Sequence, residues 1–116
     1  MLIGVPKEIK NHEYRIGLTP TGVRELVGAG HQVLVETQGG TAIGLTDEQY
    51  ADAGAEVVVS AAEIFERAEL IVKVKEPQPS ECKQLRPNQT LFTYLHLAPD
   101  PEQTKLLLAS VPITLY

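Results

Sequence analysis

The sequence has little cysteine, no excess of positive charge and no long apolar run, and each shortage excludes a class of protein. Cys82 is the only cysteine, so one chain can form neither a disulfide framework nor a multi-cysteine metal site, and no metal is predicted. The net charge of −5 offers no basic surface for nucleic acid or an anionic membrane. No apolar run approaches the about 20 residues of a membrane span, and Met1-Leu2-Ile3 begins a strand without a charged signal region. These features predict a cytoplasmic protein without nucleic-acid or membrane partners.

The remaining composition is that of a folded α/β domain. Hydrophobic residues make up 43% and charged residues 22% of the 116 residues, which predicts a single domain over residues 1–116 with a substantial core. Apolar runs predict strands at Leu2–Val5, His31–Glu36, Glu56–Val59, Leu70–Val74, Thr90–Leu97 and Pro112–Tyr116. Cap signals predict helices after Thr19, Thr46, Ser60 and Asp100, and one helical turn near Ser80–Leu85.

The alternation of strands with capped helices predicts a doubly wound, mainly parallel sheet with helices on both faces, similar to flavodoxin and Rossmann folds. The last predicted strand reaches Tyr116 with no turn, cap or polar tail after it. Because a domain rarely stops within a buried strand, we expect this domain to be truncated. A recombinant fragment, a proteolytic product and a shortened gene are all compatible with that expectation.

Three polar side chains are predicted to meet at one edge of the sheet. Lys75 and His96 stand where two apolar strands end, and Arg15 lies in the loop that leaves the first strand. Ligands of open parallel sheets bind outside the carboxyl ends of the strands. An arginine fork and a lysine charge suit a small carboxylate, while a histidine near two cations tends to be neutral and able to accept a proton.

Each of these side chains also has a purely structural interpretation. Arg15 can pair with Glu8 or Glu13, Lys75 can pair with Glu76, and His96 can cap a strand end. Because the three side chains converge on one edge, the functional and the structural interpretation carry equal weight. Lys73 shares a strand face with Lys75, and we expect it to extend toward water or to pair with a carboxylate.

Two glycine-rich stretches invite a nucleotide-binding interpretation that their context does not favour. Gly28-Ala29-Gly30 follows a helix, the reverse of the arrangement in a dinucleotide-binding loop. The stretch 39–44 lies between a strand and a helix, but its spacing is GGxxxG rather than GxGxxG. Both stretches are therefore predicted to be turns.

Three motifs, in order and at plausible spacings, carry a resemblance to a known family. GVPKEIKNHEYRIGLTP near the start, KVKEP in the centre and FTYLHLA near the end resemble the amino-terminal segment of bacterial NAD-dependent alanine dehydrogenases, essentially over the whole chain. The alpha subunit of proton-translocating nicotinamide nucleotide transhydrogenase is a weaker match, because it typically lacks both Lys75 and His96 at the matching positions. Saccharopine-forming lysine dehydrogenases keep a lysine and a histidine there, but their flanking residues differ.

The resemblance implies that this chain is most of the substrate domain of a two-domain enzyme whose NAD-binding Rossmann domain follows. It implies reversible oxidative deamination of L-alanine to pyruvate and ammonia, with NAD bound by the full-length enzyme and not by this chain. Arg15 and Lys75 would bind the substrate carboxylate, Lys75 would also reach the carbonyl oxygen, and His96 would be the acid/base group. Family members usually assemble as hexamers, so a homo-oligomer is expected.

Two other interpretations stay open at the level of the sequence. One is a stand-alone module that binds small carboxylates or mediates assembly without catalysis, and the other is a fragment like the transhydrogenase subunit. Lys75 and His96 favour the alanine dehydrogenase over the transhydrogenase. The abrupt end at Tyr116 favours a piece of an enzyme over a stand-alone module.

Overall fold

A computed structural model describes residues 1–93 and the strand at 114–115. The strands are β1 (Leu2–Val5), β2 (Gln32–Glu36), β3 (Glu56–Val58), β4 (Leu70–Val72), β5 (Thr90–Phe92) and β6 (Thr114–Leu115). The helices are α1 (Pro20–Gly28), α2 (Asp47–Asp52), α3 (Ala61–Arg67) and α4 (Pro79–Cys82), with a 3-10 turn at Thr41–Ile43. No helix within these residues is both long and apolar enough to cross a membrane.

The six strands form one parallel sheet in the order β3-β2-β1-β4-β5-β6. The order runs outward from β1 in both directions, so the topology changes direction between β1 and β4. This is the switch point at which doubly wound sheets open a crevice beyond the carboxyl ends of their strands. The predicted doubly wound, parallel α/β fold is confirmed.

Apolar side chains pack on both faces of the sheet. On one face, Val23 of α1 and Tyr50 of α2 pack with the buried valines and isoleucine of β1 and β2. On the other face, Ile64 and Phe65 of α3 pack with Leu34, Ile71 and Leu91. Helices on both faces explain why the strands read as continuous apolar runs rather than as alternating patterns.

Local capping chemistry sets the starts of the helices. The Thr19 hydroxyl accepts a hydrogen bond from the Gly22 amide, and Thr46 forms the predicted reciprocal capping box with Gln49. The second predicted box is only half formed. The Ser60 hydroxyl accepts from the Glu63 amide, but the Glu63 carboxylate pairs with Arg67 one helical turn later instead of reaching back.

The central strand β4 is shorter than the sequence indicates. It ends at Val72 rather than Val74, although the Lys73 amide still donates to the carbonyl oxygen of Phe92. The amides of Val74 and Lys75 donate instead to the side chain of Glu8. The predicted continuation of β5 to Leu97, the helix after Asp100 and the position of His96 lie outside the described residues.

Candidate functional site

The candidate site lies at the carboxyl ends of β1, β2 and β4. The loop after β1 carries Arg15, and residues 7–15 of this loop line a cavity of about 540 Å³ together with the turn after β2. The Lys7 amide donates to the Glu36 carboxylate at 2.8 Å, which holds the start of the loop against the end of β2. The cavity therefore opens at the carboxyl edge of the sheet beside β1 and β2, next to the switch point between β1 and β4.

Arg15 reaches this cavity with part of its guanidinium already engaged. Its Nε and Nη2 atoms donate to the two carboxylate oxygens of Glu13 at 3.1 and 2.9 Å. The Arg15 side chain is 64% exposed, whereas that of Glu13 is 5% exposed. Pairing with Arg15 lowers the pKa of Glu13 from 4.5 to about 2. The structural expectation that Arg15 pairs with Glu13 is thus confirmed, but the pair leaves Nη1 of Arg15 without a bond to residues 1–93.

Lys75 follows the end of β4 and is fixed through its backbone. Its amide donates to Glu8, and its carbonyl oxygen accepts a 2.7 Å hydrogen bond from the Thr93 hydroxyl, just after β5. Within residues 1–93 no carboxylate lies at ion-pair distance from the Lys75 ammonium, and Glu76 forms an ion pair with Lys10. The structural expectation that Lys75 pairs with Glu76 is therefore wrong.

Arg15 and Lys75 stand at the same edge of the sheet, with glutamates around them. The low pKa of Glu13 is caused mainly by its bond to Arg15 and is further lowered by the charge of Lys75. The pKa of Arg15 is raised mainly by Glu13 and further by the charge of Glu8. Lys75 is not among the residues that line the Arg15 cavity. His96 lies outside the described residues, so its predicted place beside the two cations stays a prediction.

Beneath this edge lies a buried charge cluster that the sequence only partly indicated. The ammonium of Lys73 donates to Glu8 at 3.1 Å and to Glu81 at 3.0 Å, and all three side chains are at most 2% exposed. Lys73 pairs with carboxylates, which is one of the two outcomes expected for it. Burial raises the pKa of Glu81 and outweighs the lowering effect of the Lys73 ammonium, and the charge of Glu8 raises it slightly further.

The sequence names Glu8 only as a possible partner of Arg15 and gives no sign of a role for Glu81. Glu8 lies in a polar loop, where a charged residue is unremarkable. Glu81 sits in the first turn of a short helix, where an acidic residue is common. The one usable signal was Lys73 itself, a charge inside an apolar run that had to find a partner.

Gly39 and Gly40 pack closely against the protein's own side chains, which leaves little room beside them for the pyrophosphate of a dinucleotide. A Cβ at Gly39 would lie 2.7 Å from Cδ1 of Ile16, and one at Gly40 would lie 2.8 Å from Cβ of Leu45. The space beside each glycine is therefore filled by the protein's own side chains. The stretch 39–44 forms turns, as predicted. Gly28 still belongs to α1, and the predicted turn follows it at residues 29–30, where Gly30 has φ of 96° and completes a Schellman motif.

The described residues contain no cluster of three or more histidine, cysteine, aspartate or glutamate side chains arranged to hold a metal ion. What the edge offers is charge of both signs. Arg15 and Lys75 can engage an anion, and their backbone amides donate to Glu13 and to the buried Glu8, respectively. Fold and site together define a doubly wound α/β domain with a loop-lined crevice of mixed charge at the carboxyl edge of its sheet.

The chain belongs to the family described as "Alanine dehydrogenase/PNT, N-terminal domain", whose model matches residues 4–115. It is 56% identical to an alanine dehydrogenase of Methanococcus maripaludis over 108 residues, which is 93% of this chain and 29% of that protein. It is 50% identical to an alanine dehydrogenase of Bacillus subtilis over 107 residues, covering 92% of this chain and 28% of that protein. The resemblance drawn from the three motifs is confirmed.

Solved structures agree with this assignment. An L-alanine dehydrogenase superposes with a TM-score of 0.94 at 52% identity, over 99% of this chain and 31% of that one. A transhydrogenase from Sinorhizobium meliloti superposes with a TM-score of 0.89 at 24% identity, over 100% of this chain and 34% of that one, which shows a shared fold. The chain thus spans about 30% of the length of the relatives it matches.

Proposed function

We propose that this chain is most of the substrate-binding domain of an alanine dehydrogenase, which interconverts L-alanine with pyruvate and ammonia. The observation that carries the proposal is the presence of Arg15 and Lys75 at one edge of the switch point, in a chain of this family. An NAD-binding domain would lie elsewhere in the same polypeptide, and the enzyme would be a homo-oligomer. NAD would accept or supply the hydride, and the domain described here would hold the substrate.

Arg15 and Lys75 would bind the substrate carboxylate from two directions. Glu13 occupies the Nε–Nη2 side of the Arg15 fork, so the substrate would use the side that carries Nη1. Lys75 would add a point charge, and its rotatable donors would reach the carbonyl oxygen of pyruvate. Since Glu13 already neutralises part of the Arg15 charge, Lys75 would supply much of the net attraction.

His96 would transfer protons at the nitrogen and oxygen substituents of the substrate's α-carbon. The supporting observation is that the chain just before it is tied to Lys75, because the Thr93 hydroxyl donates to the Lys75 carbonyl oxygen. Adjacent parallel strands β4 and β5 deliver the two segments to the same edge. A neutral imidazole beside two cations would be ready to accept a proton.

The test is a set of single substitutions in the complete polypeptide, assayed for pyruvate reduction. Arg15→Ala and Lys75→Ala should each raise KM for pyruvate roughly ten- to a hundredfold, since charge-assisted hydrogen bonds are worth about 1.5–3 kcal/mol. His96→Ala should lower kcat by about 10²–10⁴ with a smaller change in KM. Lys83→Ala, an exposed lysine that follows α4, is the control and should behave as wild type.

Two results would contradict the proposal. An unchanged KM in both Arg15→Ala and Lys75→Ala would mean that the carboxylate is held elsewhere. A kcat of His96→Ala within about twofold of wild type would remove His96 from the mechanism. A polypeptide that binds pyruvate through Arg15 and Lys75 but never reduces it would instead be a carboxylate-binding module.

A further inference from the structure

The carboxylate of Glu8 is the centre of a set of hydrogen bonds that all come from the end of β4. Its Oε2 accepts from the Val74 amide at 2.9 Å, and its Oε1 accepts from the Lys75 amide at 3.2 Å and from Nζ of Lys73 at 3.1 Å. The Glu8 side chain is 1% exposed. One side chain from the loop after β1 therefore accepts hydrogen bonds from three consecutive residues that directly follow β4.

A carboxylate suits this position better than any neutral side chain. The amides of Val74 and Lys75 are part-buried where β4 has ended, and an unpaired buried amide costs about 1–3 kcal/mol. Both oxygens of Glu8 face donors, so a glutamine would direct its own NH₂ group at one of them. Lys73 compensates the negative charge that this arrangement buries.

The same loop also carries Arg15, so the hydrogen bonds of Glu8 connect the two segments that carry the predicted carboxylate-binding residues, Arg15 and Lys75. Seven residues beyond Glu8 the loop reaches Arg15, and a second ion pair, between Lys10 and Glu76, fastens the same two segments. Movement of either segment would alter the distance between the Arg15 and Lys75 side chains. A displacement of about 1 Å in such a site can cost about 10²-fold in rate.

We propose that Glu8 is a positioning residue, which fixes the backbone of Lys75 against the Arg15 loop and thereby sets the geometry of carboxylate binding. This inference rests on the proposed function, because it requires Lys75 to bind the substrate. Glu8 itself does not touch the substrate. Its effect reaches the substrate through the backbone of residues 74 and 75.

Glu81 provides a matched control within the same cluster. It pairs with the same lysine at nearly the same distance and is equally buried, but its second bond is to the Gln78 amide at the start of α4. Glutamine at either position removes one negative charge and introduces one NH₂ group. Loss of charge compensation is thus common to both variants, whereas only a change at Glu8 releases the backbone of Lys75.

The experiment compares Glu8→Gln with Glu81→Gln in the complete polypeptide. We expect KM for pyruvate to rise at least about tenfold in Glu8→Gln and less than about twofold in Glu81→Gln, with kcat measured for both. A double variant, Glu8→Gln with Lys75→Ala, should have the KM of Lys75→Ala alone, because no lysine is left to position. Thermal unfolding of all variants records any general loss of stability.

The outcomes separate this inference from the proposed function. If Lys75→Ala raises KM but Glu8→Gln does not, or if the two effects on KM multiply in the double variant, Glu8 does not position Lys75. If Lys75→Ala itself leaves KM unchanged, the proposed function fails and the role of Glu8 fails with it. Should Glu8→Gln not fold, Glu8→Asp keeps the charge near Lys73 but shortens the reach to both amides. A wild-type KM in Glu8→Asp would then overturn the inference.

Discussion

At the scale of single residues, the loop after β1 combines an exposed cation with a mostly buried anion. The bidentate Arg15–Glu13 pair keeps the guanidinium close to the cavity, while the low exposure of Glu13 fixes its own carboxylate. Glu13 therefore orients the Arg15 side chain and leaves one side of the guanidinium fork for an anion. The same ion pair also neutralises part of the Arg15 charge before any ligand binds.

The pair predicts how stability depends on pH. The pKa of Glu13 falls from 4.5 to about 2 in the folded chain, mainly through its hydrogen bond with Arg15. A depressed folded-state pKa gives stability that is fully present above pH 4.5 and is lost as the pH falls toward 2. We expect Glu13→Gln to be less stable than wild type in denaturant titrations at pH 6, and we expect the difference to shrink steadily between pH 4.5 and pH 2.

The matched control is Glu66→Gln, an exposed glutamate of α3 that forms no ion pair within residues 1–93. A stability difference between Glu13→Gln and wild type that stays constant from pH 6 to pH 2.5 would show that the Glu13–Arg15 pair does not account for it. Added salt should reduce the difference at pH 6, because the arginine is exposed and its charge is screened.

Some residues of this site could be predicted from the sequence and others could not. Arg15 and Lys75 could be placed at one edge because strand direction alone determines where a strand ends. The buried partner of Lys73 could not be identified, because Glu8 belongs to a loop without periodicity and is distant in sequence. Long-range pairing of this kind leaves no local pattern, and only the folded chain shows which glutamate among several is the partner.

At the scale of the elements, boundaries follow from where each backbone amide finds its acceptor. The starts of α1 and α2 were predictable because cap residues and the amides they satisfy lie within three positions of each other. The end of β4 was not predictable, because Val74 continues the apolar run, yet the amides of Val74 and Lys75 donate to a distant side chain. The length of a strand thus depends on its neighbours as much as on its own residues.

The contact between β1 and α3 gives a prediction at this scale. A Cβ at Gly4 would lie 2.5 Å from Cγ2 of Ile64 and 2.7 Å from Cβ of Ala68, so the helix packs directly on the strand backbone. We expect Gly4→Ala to lower the free energy of unfolding by about 1–3 kcal/mol, which is typical of overpacking a core. Denaturant titration of the purified variant measures this change.

Gly28, the last residue of α1, is the matched control for this substitution. Nothing lies within 4 Å of a Cβ at this position, and alanine is the better helix former by up to about 1 kcal/mol. Gly28→Ala should therefore be neutral or slightly stabilising. Equal stability of the two variants would show that α3 can move away from β1 without cost.

At the scale of the whole molecule, the fold class followed from the alternation of strand and helix signals, whereas the order of the strands did not. Local patterns say that β1 and β4 are buried, but not that they are neighbours. That pairing results from a crossover through α3 that passes back beneath β2 and β1. The proposed ligand-binding edge depends on this pairing, since Lys75 would otherwise be far from the Arg15 loop.

The 116-residue chain should bind NADH negligibly and retain weak affinity for pyruvate. The space beside Gly39 and Gly40 is filled by Ile16 and Leu45, which leaves no backbone cradle for a pyrophosphate. Arg15 and Lys75 remain available to a carboxylate, although their charges are hydrated and screened in an open crevice. Titration calorimetry with NADH and then with pyruvate measures both. Micromolar NADH affinity of a verified 116-residue species would contradict the proposal that NAD is bound by another domain.

The position of β1 has a consequence for the biosynthesis of the protein. This strand leaves the ribosome before the other strands of the sheet, yet it lies in the interior, with β2 on one side and β4 on the other. A nascent chain that has not reached Leu70 can complete only one of these edges. Until then the open edge is the uncharged segment LIGV, a template for unwanted strand pairing that carries none of the protective charges of a natural edge strand. The exposure of this edge of β1 ends when the residues that hold β4 in place bring it beside β1.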